Sequence, residues 1–276
     1  MLIRLGYDIE FDVPAPLAYV AQLRVHPSRA ADLREPDVVR IEHSAGPIAS
    51  HEYSDTYGNI CTRFLAPAGH LRLWNSTLIE DSGDPDPVDW GAKEVPPQDL
   101  PDDALRFLLN SRYCETDQLA AVAYELFGTV APGWNRVQAI CDWVNAKVTF
   151  NYGMTRPSKT ALDVFTERTG VCRDFQHLAV TFCRCLNIPA RYVAGYLGDI
   201  GVPLRLPMDF SAWFEAYLDG KWWSFDARNN MPRVGRVLMA TGRDAADVAF
   251  LTSFGGSTLT KFEVVSDEVK EPGAGS

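Results

Sequence analysis

The first 80 residues alternate between hydrophobic and polar positions in short runs, which Pro, Gly, Asp and Asn interrupt. Alternation at every second residue is typical of a β-strand with one buried face. Such runs are IRLGYDIEFDV, AYVAQLRVH, DVVRIEH, ICTRFLA and LRLWNSTLIE. Gly58-Asn59 lies between two runs and favours the positive φ angles of a tight hairpin turn. The pattern therefore predicts an antiparallel β domain over residues 1–81.

Residues 82–101, SGDPDPVDWGAKEVPPQDLP, have no hydrophobic period and contain five prolines and several acidic residues. Proline lacks a backbone N–H and fixes φ, so this composition favours an extended connection over a helix or a strand. The segment is predicted to join two units, of which the second spans residues 102–265. Residues 266–276, SDEVKEPGAGS, are predicted to form a flexible tail.

The second unit begins with runs in which hydrophobic residues recur every three or four positions, the period of an amphipathic helix. These runs are DDALRFLLNSRYC, QLAAVAYELFG, NRVQAICDWVNAKV and SKTALDVFTERTG. In the last run, Ser158 is predicted to cap the start of the helix and Gly170 to end it. A strand, IPARYVAGYL, and a hairpin, SAWFEAYLDGKWWSFDAR, are predicted further along the chain. This combination indicates an α+β fold.

The segment VCRDFQHLAVTFCRCLN is predicted to form a core helix that begins at Cys172. Unpaired N–H groups and the helix dipole stabilise a thiolate in the first turn and can bind an oxyanion there. Asp174 opposes thiolate formation if its carboxylate faces the sulfur. A cysteine in a helix also commonly just packs in the core, so both interpretations stay open at this point.

The hairpin is predicted to turn at Asp219-Gly220, and a two-residue loop fixes the pairing of its strands. Leu218 then pairs with Lys221. Ser211 and Asp226 become diagonal neighbours on one face, with Cα atoms roughly 7–8 Å apart. A long side chain at position 211 would reach the carboxylate of Asp226, whereas serine is too short.

The face that carries Ser211 and Asp226 also carries Trp213, Tyr217 and Trp222. Aromatic side chains in this position either hold a peptide by apolar contact or pack against another domain. The hairpin alone is equally compatible with an ordinary sheet edge that carries an Asp226–Arg228 ion pair. We predict a substrate-binding role for the three aromatic residues.

The composition is that of a folded globular protein, with 46% hydrophobic and 22% charged residues. The net charge of −10 disfavours nucleic acid or an anionic membrane as a partner, because both bind concentrated Lys and Arg. The first residues lack the pattern of a signal peptide, and no hydrophobic run approaches the roughly 18 residues of a membrane span. A cytoplasmic location is the expectation.

Cysteines occur at six positions without a CxxC pair, which disfavours a zinc knuckle or a dense disulfide framework. Free thiols in a reducing compartment are expected instead. Cys183 and Cys185 point to nearly opposite sides of their helix and are predicted to pack in the core. No cluster of His, Asp and Glu has the spacing of metal ligands, so neither a metal nor another cofactor is expected.

The stretches RTGVCRDFQHLAVTFCRCLNIPARYVAGY and MDFSAWFEAYLDGKWWSFDAR resemble the transglutaminase-like superfamily, which includes bacterial cysteine peptidases. The resemblance covers roughly residues 140–235 and implies a papain-like core of helices packed on an antiparallel sheet. It also implies a catalytic Cys, His and Asp. Cys172 and Asp226 match the cysteine and the aspartate, but Ser211 occupies the histidine position. SDTYGNICTRF resembles the β domain that often precedes this core in bacteria.

Ser211 removes the general base that the resemblance implies, because a hydroxyl has no useful proton affinity near neutral pH. His177 follows Cys172 by five residues, about 140° around the helix, so its ring is predicted to point away from the sulfur. Four further histidines lie in the first unit and reach the cleft only if that unit packs over it. They are His26, His43, His51 and His70.

Two functions from different classes follow from these observations. The favoured one is a hydrolase or acyltransferase that acts on a peptide or amide bond through a thioester on Cys172, with activity weakened or lost because of Ser211. The alternative is a catalytically inactive protein that binds a peptide or protein on the same fold. Neither function involves nucleic acid or a membrane, and the oligomeric state stays open.

Overall fold

The computed structural model describes residues 1–154, 156–204 and 208–270, and it confirms the predicted α+β class. The α-helices are α1 (Asp102–Leu105), α2 (Thr116–Phe127), α3 (Trp134–Lys147), α4 (Ala161–Glu167) and α5 (Cys172–Cys185). Short 3-10 helices are Pro27–Asp32, Pro97–Asp99, Arg106–Leu108 and Tyr152–Met154. Within the described ranges, every helix is too short or too polar to cross a membrane.

The strands of the first half of the chain are β1 (Leu2–Val13), β2 (Leu17–Ala21), β3 (Arg40–His43), β4 (Ser50–Ser54), β5 (Ile60–Ala66) and β6 (Gly69–Glu80). Those of the second half are β7 (Thr149–Phe150), β8 (Thr169–Gly170), β9 (Ala190–Leu197), β10 (Ser211–Leu218), β11 (Lys221–Phe225), β12 (Arg236–Gly242), β13 (Leu251–Ser253) and β14 (Thr258–Glu268).

Three antiparallel sheets of four strands organise the chain. The first sheet has the strand order β14-β1-β6-β3, the second β13-β2-β5-β4 and the third β11-β10-β9-β12. The short strands β7 and β8 pair in parallel. The first two sheets share a hydrophobic core that also takes Tyr196 from β9 and Val237 and Met239 from β12. The β region predicted at the N-terminus therefore packs directly against the third sheet.

The C-terminal strands return to the N-terminal sheets. β13 pairs with β2, and β14 pairs with β1. The sequence assigned most of these residues to the second unit, because strand pairing across more than 200 positions leaves no local signal. β14 also includes Ser266–Glu268, which were predicted to lie in the tail. The rest of the predicted tail, residues 271–276, lies outside the described residues.

The hairpin β4–β5 is present, but its loop is longer than the predicted tight turn. Ser54 pairs with Ile60, so five residues form the loop, and Gly58 alone within it has a positive φ, at 84°. Asn59 is buried and exchanges hydrogen bonds of 2.8 Å with the backbone of Thr241. The asparagine thus joins the loop to β12 and does not form the turn.

The helix α4 begins and ends at residues other than those predicted. Thr160, not Ser158, is the N-cap, and its side chain and that of Asp163 form a capping box. Arg168 ends the helix in the left-handed region with φ 58°, while Gly170 lies in β8. The first predicted helix is reduced to α1 and one 3-10 turn.

The third sheet and helices α2 to α5 enclose a second core, in which α5 packs on β10. The predicted register of the β10–β11 hairpin is confirmed from Phe214–Phe225 to Leu218–Lys221. Asp219 and Gly220 both have positive φ, at 51° and 85°. β11 ends at Phe225, however, and the chain turns where the sequence predicted further pairing.

The proline-rich connection lies along the third sheet and is hydrogen-bonded to it. The Asp86 N–H donates to Arg233, and its carboxylate accepts from the Arg233 N–H at 2.8 Å. Glu94 forms two bonds with the Arg136 guanidinium, at 2.9 and 3.0 Å, and pairs with Leu218 in an isolated β-bridge. Residues 82–101 thus contain one short 3-10 helix, Pro97–Asp99, and otherwise contact the third sheet through isolated bridges and side-chain bonds that a proline count does not reveal.

Candidate active site

Four strand ends and the start of one helix meet at one end of the third sheet. The antiparallel order places the start of β10, the end of β11, the end of β9 and the start of β12 together. A cleft of about 480 Å³ lies there, and Cys172 and Ser211 both line it. The structure thus brings together two of the three residues predicted to be catalytic.

Cys172 is the first residue of α5, as predicted, and it is half-buried. The Asp174 carboxylate accepts from the Val171 N–H at 3.0 Å and forms an ion pair with Arg173 at 3.1 Å. Asp174 therefore caps the helix on which it lies, and Arg173 balances its charge. The Asp174 carboxylate is therefore engaged at the start of its own helix and with Arg173.

The environment of Cys172 favours the neutral thiol. Burial raises the pKa of Cys172 to about 11, even though Arg228 and the Arg173 N–H lower it; Asp209 adds a smaller increase. The helix N-terminus is therefore present, but burial outweighs its effect on the thiol.

Alkylation by iodoacetamide should modify Cys172 before the other five cysteines, which are all buried. The thiolate reacts and the thiol does not, so the rate should rise about tenfold per pH unit from pH 6 to pH 10. Peptide mapping by mass spectrometry measures this. A rate plateau in the neutral range would instead reveal a base or a strong ion pair at the sulfur.

Ser211 begins β10 opposite Gly195 and is 9% exposed. Ser211 is the residue through which β10 contributes to the lining of the cleft that also holds Cys172. None of the five histidines of the chain, all of which the structure describes, lines this cleft. The β domain therefore contributes no imidazole to the lining of this cleft.

His177 lies in the core behind the cleft, where its ring stacks on Tyr113 at 5.0 Å. Its Nε2 accepts the Ala245 N–H at 3.1 Å, and burial holds the pKa of His177 well below its ordinary value. The ring is thus neutral and packs in the core, outside the lining of the cleft that holds Cys172.

Asp226 lies next to this cleft but does not line it. It borders a second cavity, of about 420 Å³. Its carboxylate accepts hydrogen bonds from Gln176 Nε2 at 3.1 Å, Asn229 Nδ2 at 2.8 Å and Arg236 at 3.0 Å, and from two backbone N–H groups. Burial alone would raise the pKa of Asp226, but Arg236 and Asn229 hold it below its ordinary value. Ser211 is not among these partners.

Three of the hydrogen-bond partners of Asp226 were not predicted from the sequence. Gln176 follows Cys172 by four residues, on the same side of α5, so its helical spacing was an available signal. It bonds to Asp226 and to the backbone of Ala212 and Ala227. Asn229 follows Asp226 in a turn. Arg236 comes from β12 and pairs with Asp86 as well, a contact without any local signal.

The three aromatic residues predicted to bind substrate do not line the Cys172 cleft. Trp213 is buried under the Arg236 guanidinium, 5.1 Å from its ring. Tyr217 and Trp222 lie near the hairpin turn and pack edge to face at 5.2 Å, and Trp222 contacts Phe107. These residues pack the hairpin against its neighbours. The cleft has other large apolar residues instead, namely Phe150, Tyr152, Met208, Phe210 and Met231.

The arrangement of possible metal ligands bears on what this site can bind. Over residues 1–154, 156–204 and 208–270, no group of three His, Cys, Asp or Glu side chains converges to hold a metal ion. The polar groups of the cleft instead include the Cys172 thiol, the Ser211 and Tyr152 hydroxyls, the Asn229 amide, carboxylates and guanidinium groups. This donor set fits hydrogen bonding and ion pairing with a ligand.

Comparisons with known proteins identify the superfamily to which this chain belongs. The sequence model of the transglutaminase-like superfamily matches residues 120–227, a range that includes Cys172, Ser211 and Asp226. A solved structure from Cytophaga hutchinsonii, described as a "putative cysteine protease", is 32% identical, with a TM-score of 0.83 over 98% of this chain and 91% of that chain. The chain belongs to the transglutaminase-like superfamily, and this resemblance is confirmed.

Related sequences also occur in mycobacteria. An uncharacterized protein of Mycobacterium leprae is 29% identical over 225 residues, which are 78% of this chain and 80% of that protein. An uncharacterized protein of Mycobacterium tuberculosis is 28% identical over 216 residues, covering 70% of this chain and 68% of that protein. The similarity to these proteins extends beyond the residues 120–227 that the superfamily model matches.

Proposed function

We propose that this chain binds a peptide or protein segment in the Cys172 cleft and turns it over weakly or not at all. One observation carries the proposal. Cys172 shares its cleft with Ser211, and no imidazole lines that cleft. This lining supports the proposal, because a thiol in a cleft of the transglutaminase-like fold has no imidazole beside it to move protons.

The chemistry of acyl transfer explains why this difference matters. A base must take the thiol proton before the sulfur attacks a carbonyl, and an acid must protonate the leaving amine. The Ser211 hydroxyl can do neither. Asp226 is fully engaged by Gln176, Asn229 and Arg236, so it has no lone pair directed to the sulfur. Without a base, the Cys172 thiol stays protonated at neutral pH.

The lining of the cleft supports binding. Large apolar side chains surround a small number of polar groups, which is the usual composition of a ligand site. Tyr152 is 56% exposed and Met231 50% exposed at its rim. Such exposed apolar residues lose contact with water when a peptide segment packs over them.

We also propose a reducing compartment, such as the cytoplasm, as the site of action. All six cysteines are unpaired. Structural disulfides are rare where glutathione and thioredoxin keep thiols reduced, so this usage supports the proposal. A peptide or protein remains the proposed partner, in preference to nucleic acid or a membrane, because the net charge is −10.

A second candidate function is slow acyl transfer through a thioester on Cys172. The favouring observation is that Arg228 and the Arg173 N–H both lower the pKa of the Cys172 thiol against the larger effect of burial. Asp209 also lines the cleft and offers a carboxylate as proton acceptor. A carboxylate is a much weaker base than the thiolate it would create, so this route is expected to be slow.

Turnover and binding can be measured separately. Wild-type protein should cleave fluorescein-labelled casein no faster than the Cys172→Ala variant, because no base activates the thiol. A tryptic digest of casein should nevertheless slow the alkylation of Cys172 by iodoacetamide, since bound peptide covers the sulfur. Alkylation of free glutathione in the same digest is the control. Cleavage by the wild type alone would favour the second candidate, and absence of both cleavage and protection would contradict binding.

A further inference from the structure

Arg228 places a guanidinium in the Cys172 cleft in a fixed orientation. Its backbone N–H donates to Asp226 at 3.0 Å, and its carbonyl accepts from Asn145 Nδ2 at 2.7 Å. The guanidinium lies over the Phe150 ring, 4.1 Å from the centroid. Stacking on an aromatic ring holds the planar group while leaving its N–H groups available at the edges.

Arg228 differs from the other arginines at this end of the sheet. Arg233 forms an ion pair with Asp199 at 3.1 Å, and Arg236 pairs with both Asp86 and Asp226. Throughout the part of the chain that the structure describes, no carboxylate forms an ion pair with Arg228. The positive charge of Arg228 is therefore available to pair with an anionic group of a ligand that enters the cleft.

Arg228 lines the cleft together with Cys172, Tyr152 and Asp209. Burial raises the pKa of each of these three groups, and the positive charge of Arg228 offsets part of that increase. An anionic group beside the Cys172 sulfur would thus meet the guanidinium and also the positive end of α5.

We infer that the Cys172 cleft takes a ligand segment that carries a carboxylate, and that Arg228 binds this carboxylate. The inference rests on the proposed function, because it names the chemical class of the ligand for the same cleft. A planar guanidinium binds a carboxylate through two parallel hydrogen bonds, which a lysine cannot reproduce. Asp209 lines the same cleft, so its carboxylate competes with that of the ligand for the Arg228 guanidinium.

Two alkylating reagents of nearly equal size test this inference at the sulfur itself. Iodoacetate carries a carboxylate and iodoacetamide does not. The ratio of their rate constants at Cys172, followed by peptide mapping, cancels any change in thiol pKa because both reagents need the thiolate. Arg228→Gln should lower this ratio by about tenfold, since a charge-assisted hydrogen bond is lost.

Matched variants separate specific binding from general attraction. Arg228→Lys keeps the charge and should recover only part of the ratio. Arg63→Gln removes the same charge from an exposed position on β5 and should leave the ratio unchanged. Asp209→Asn removes the competitor and should raise the ratio. An equal ratio in wild type and Arg228→Gln, or an equal drop in Arg63→Gln, would overturn the inference.

The carboxylate can belong to an acidic side chain or to a chain terminus, and three peptide pools distinguish these sources. All three pools are pentapeptides with a blocked N-terminus. The first has a central Glu and a C-terminal amide, so its carboxylate is on a side chain. The second has a central Gln and a free C-terminal carboxylate, and the third has a central Gln and a C-terminal amide. The pool that best protects wild-type Cys172 from iodoacetamide identifies the source. Equal protection by all three would overturn the inference and leave the proposed function intact. Protection by none would contradict the proposed function, while the reagent ratio still decides the role of Arg228.

Discussion

Replacing Ser211 by histidine should accelerate the acylation of Cys172 by p-nitrophenyl acetate by about 10²-fold at neutral pH. Positioned general bases contribute ~10²–10⁴-fold, and position 211 shares the cleft with the sulfur. We expect the lower end of that range. The Asp226 carboxylate already accepts five hydrogen bonds, so the new ring must displace a partner to be oriented by it. Release of p-nitrophenolate measures the rate.

Three further variants decide what such a gain means. Ser211→Gln adds a side chain of similar length without a base and should show no gain. Adding Cys172→Ala to Ser211→His should abolish the gain, and adding Asp226→Asn should reduce it, provided the protein stays folded. A wild type as active as the histidine variant would mean that another group, such as Asp209, acts as the base. Acceleration that survives loss of Cys172 would exclude the thioester mechanism.

Asp226→Ala should lower the free energy of unfolding by about 3–5 kcal/mol at pH 7, because it leaves the buried Arg236 guanidinium with one partner fewer. Urea denaturation followed by tryptophan fluorescence measures this. The pKa of Asp226 is lowered in the folded state, so its contribution is present above the unfolded-state value. The difference from wild type should therefore shrink as the pH falls below about 4.

A double variant shows whether the unpaired charge causes this loss. Asp226→Ala with Arg236→Met removes both charges, so it should be more stable than Asp226→Ala alone. Asp142→Ala removes an exposed carboxylate that bonds only to amides, and it should change stability by less than about 1 kcal/mol. If the double variant is less stable than Asp226→Ala alone, the role assigned to the ion pair is wrong.

Local patterns in the sequence predicted much of what positions the cleft. The amphipathic period of α5 placed Cys172 at its start, and the Asp219-Gly220 turn predicted the β10–β11 register from Phe214–Phe225 onward. Both features depend on neighbours within a few residues along the chain. Helical period and turn chemistry are encoded at that range, so one sequence was sufficient.

Long-range contacts account for what the sequence did not predict. Arg236, which forms an ion pair with Asp226, comes from β12 and is in turn held by Asp86 in the proline-rich connection. The β14 strand joins the first sheet from the far end of the chain. The burial that raises the pKa of Cys172 likewise depends on how distant segments pack. None of these contacts leaves a periodic signal in its own segment.

The hydrogen bonds that satisfy Asp226 affect which substitutions evolution can accept at position 211. A carboxylate that depended on one imidazole would become an uncompensated buried charge as soon as that ring was lost. Here Gln176, Asn229 and Arg236 satisfy it whatever residue follows Phe210. Selection for a stable fold therefore does not require a histidine at position 211. A histidine at this position can therefore be lost in one substitution without leaving a buried charge unsatisfied, whereas a returning histidine must first displace one of the partners of Asp226.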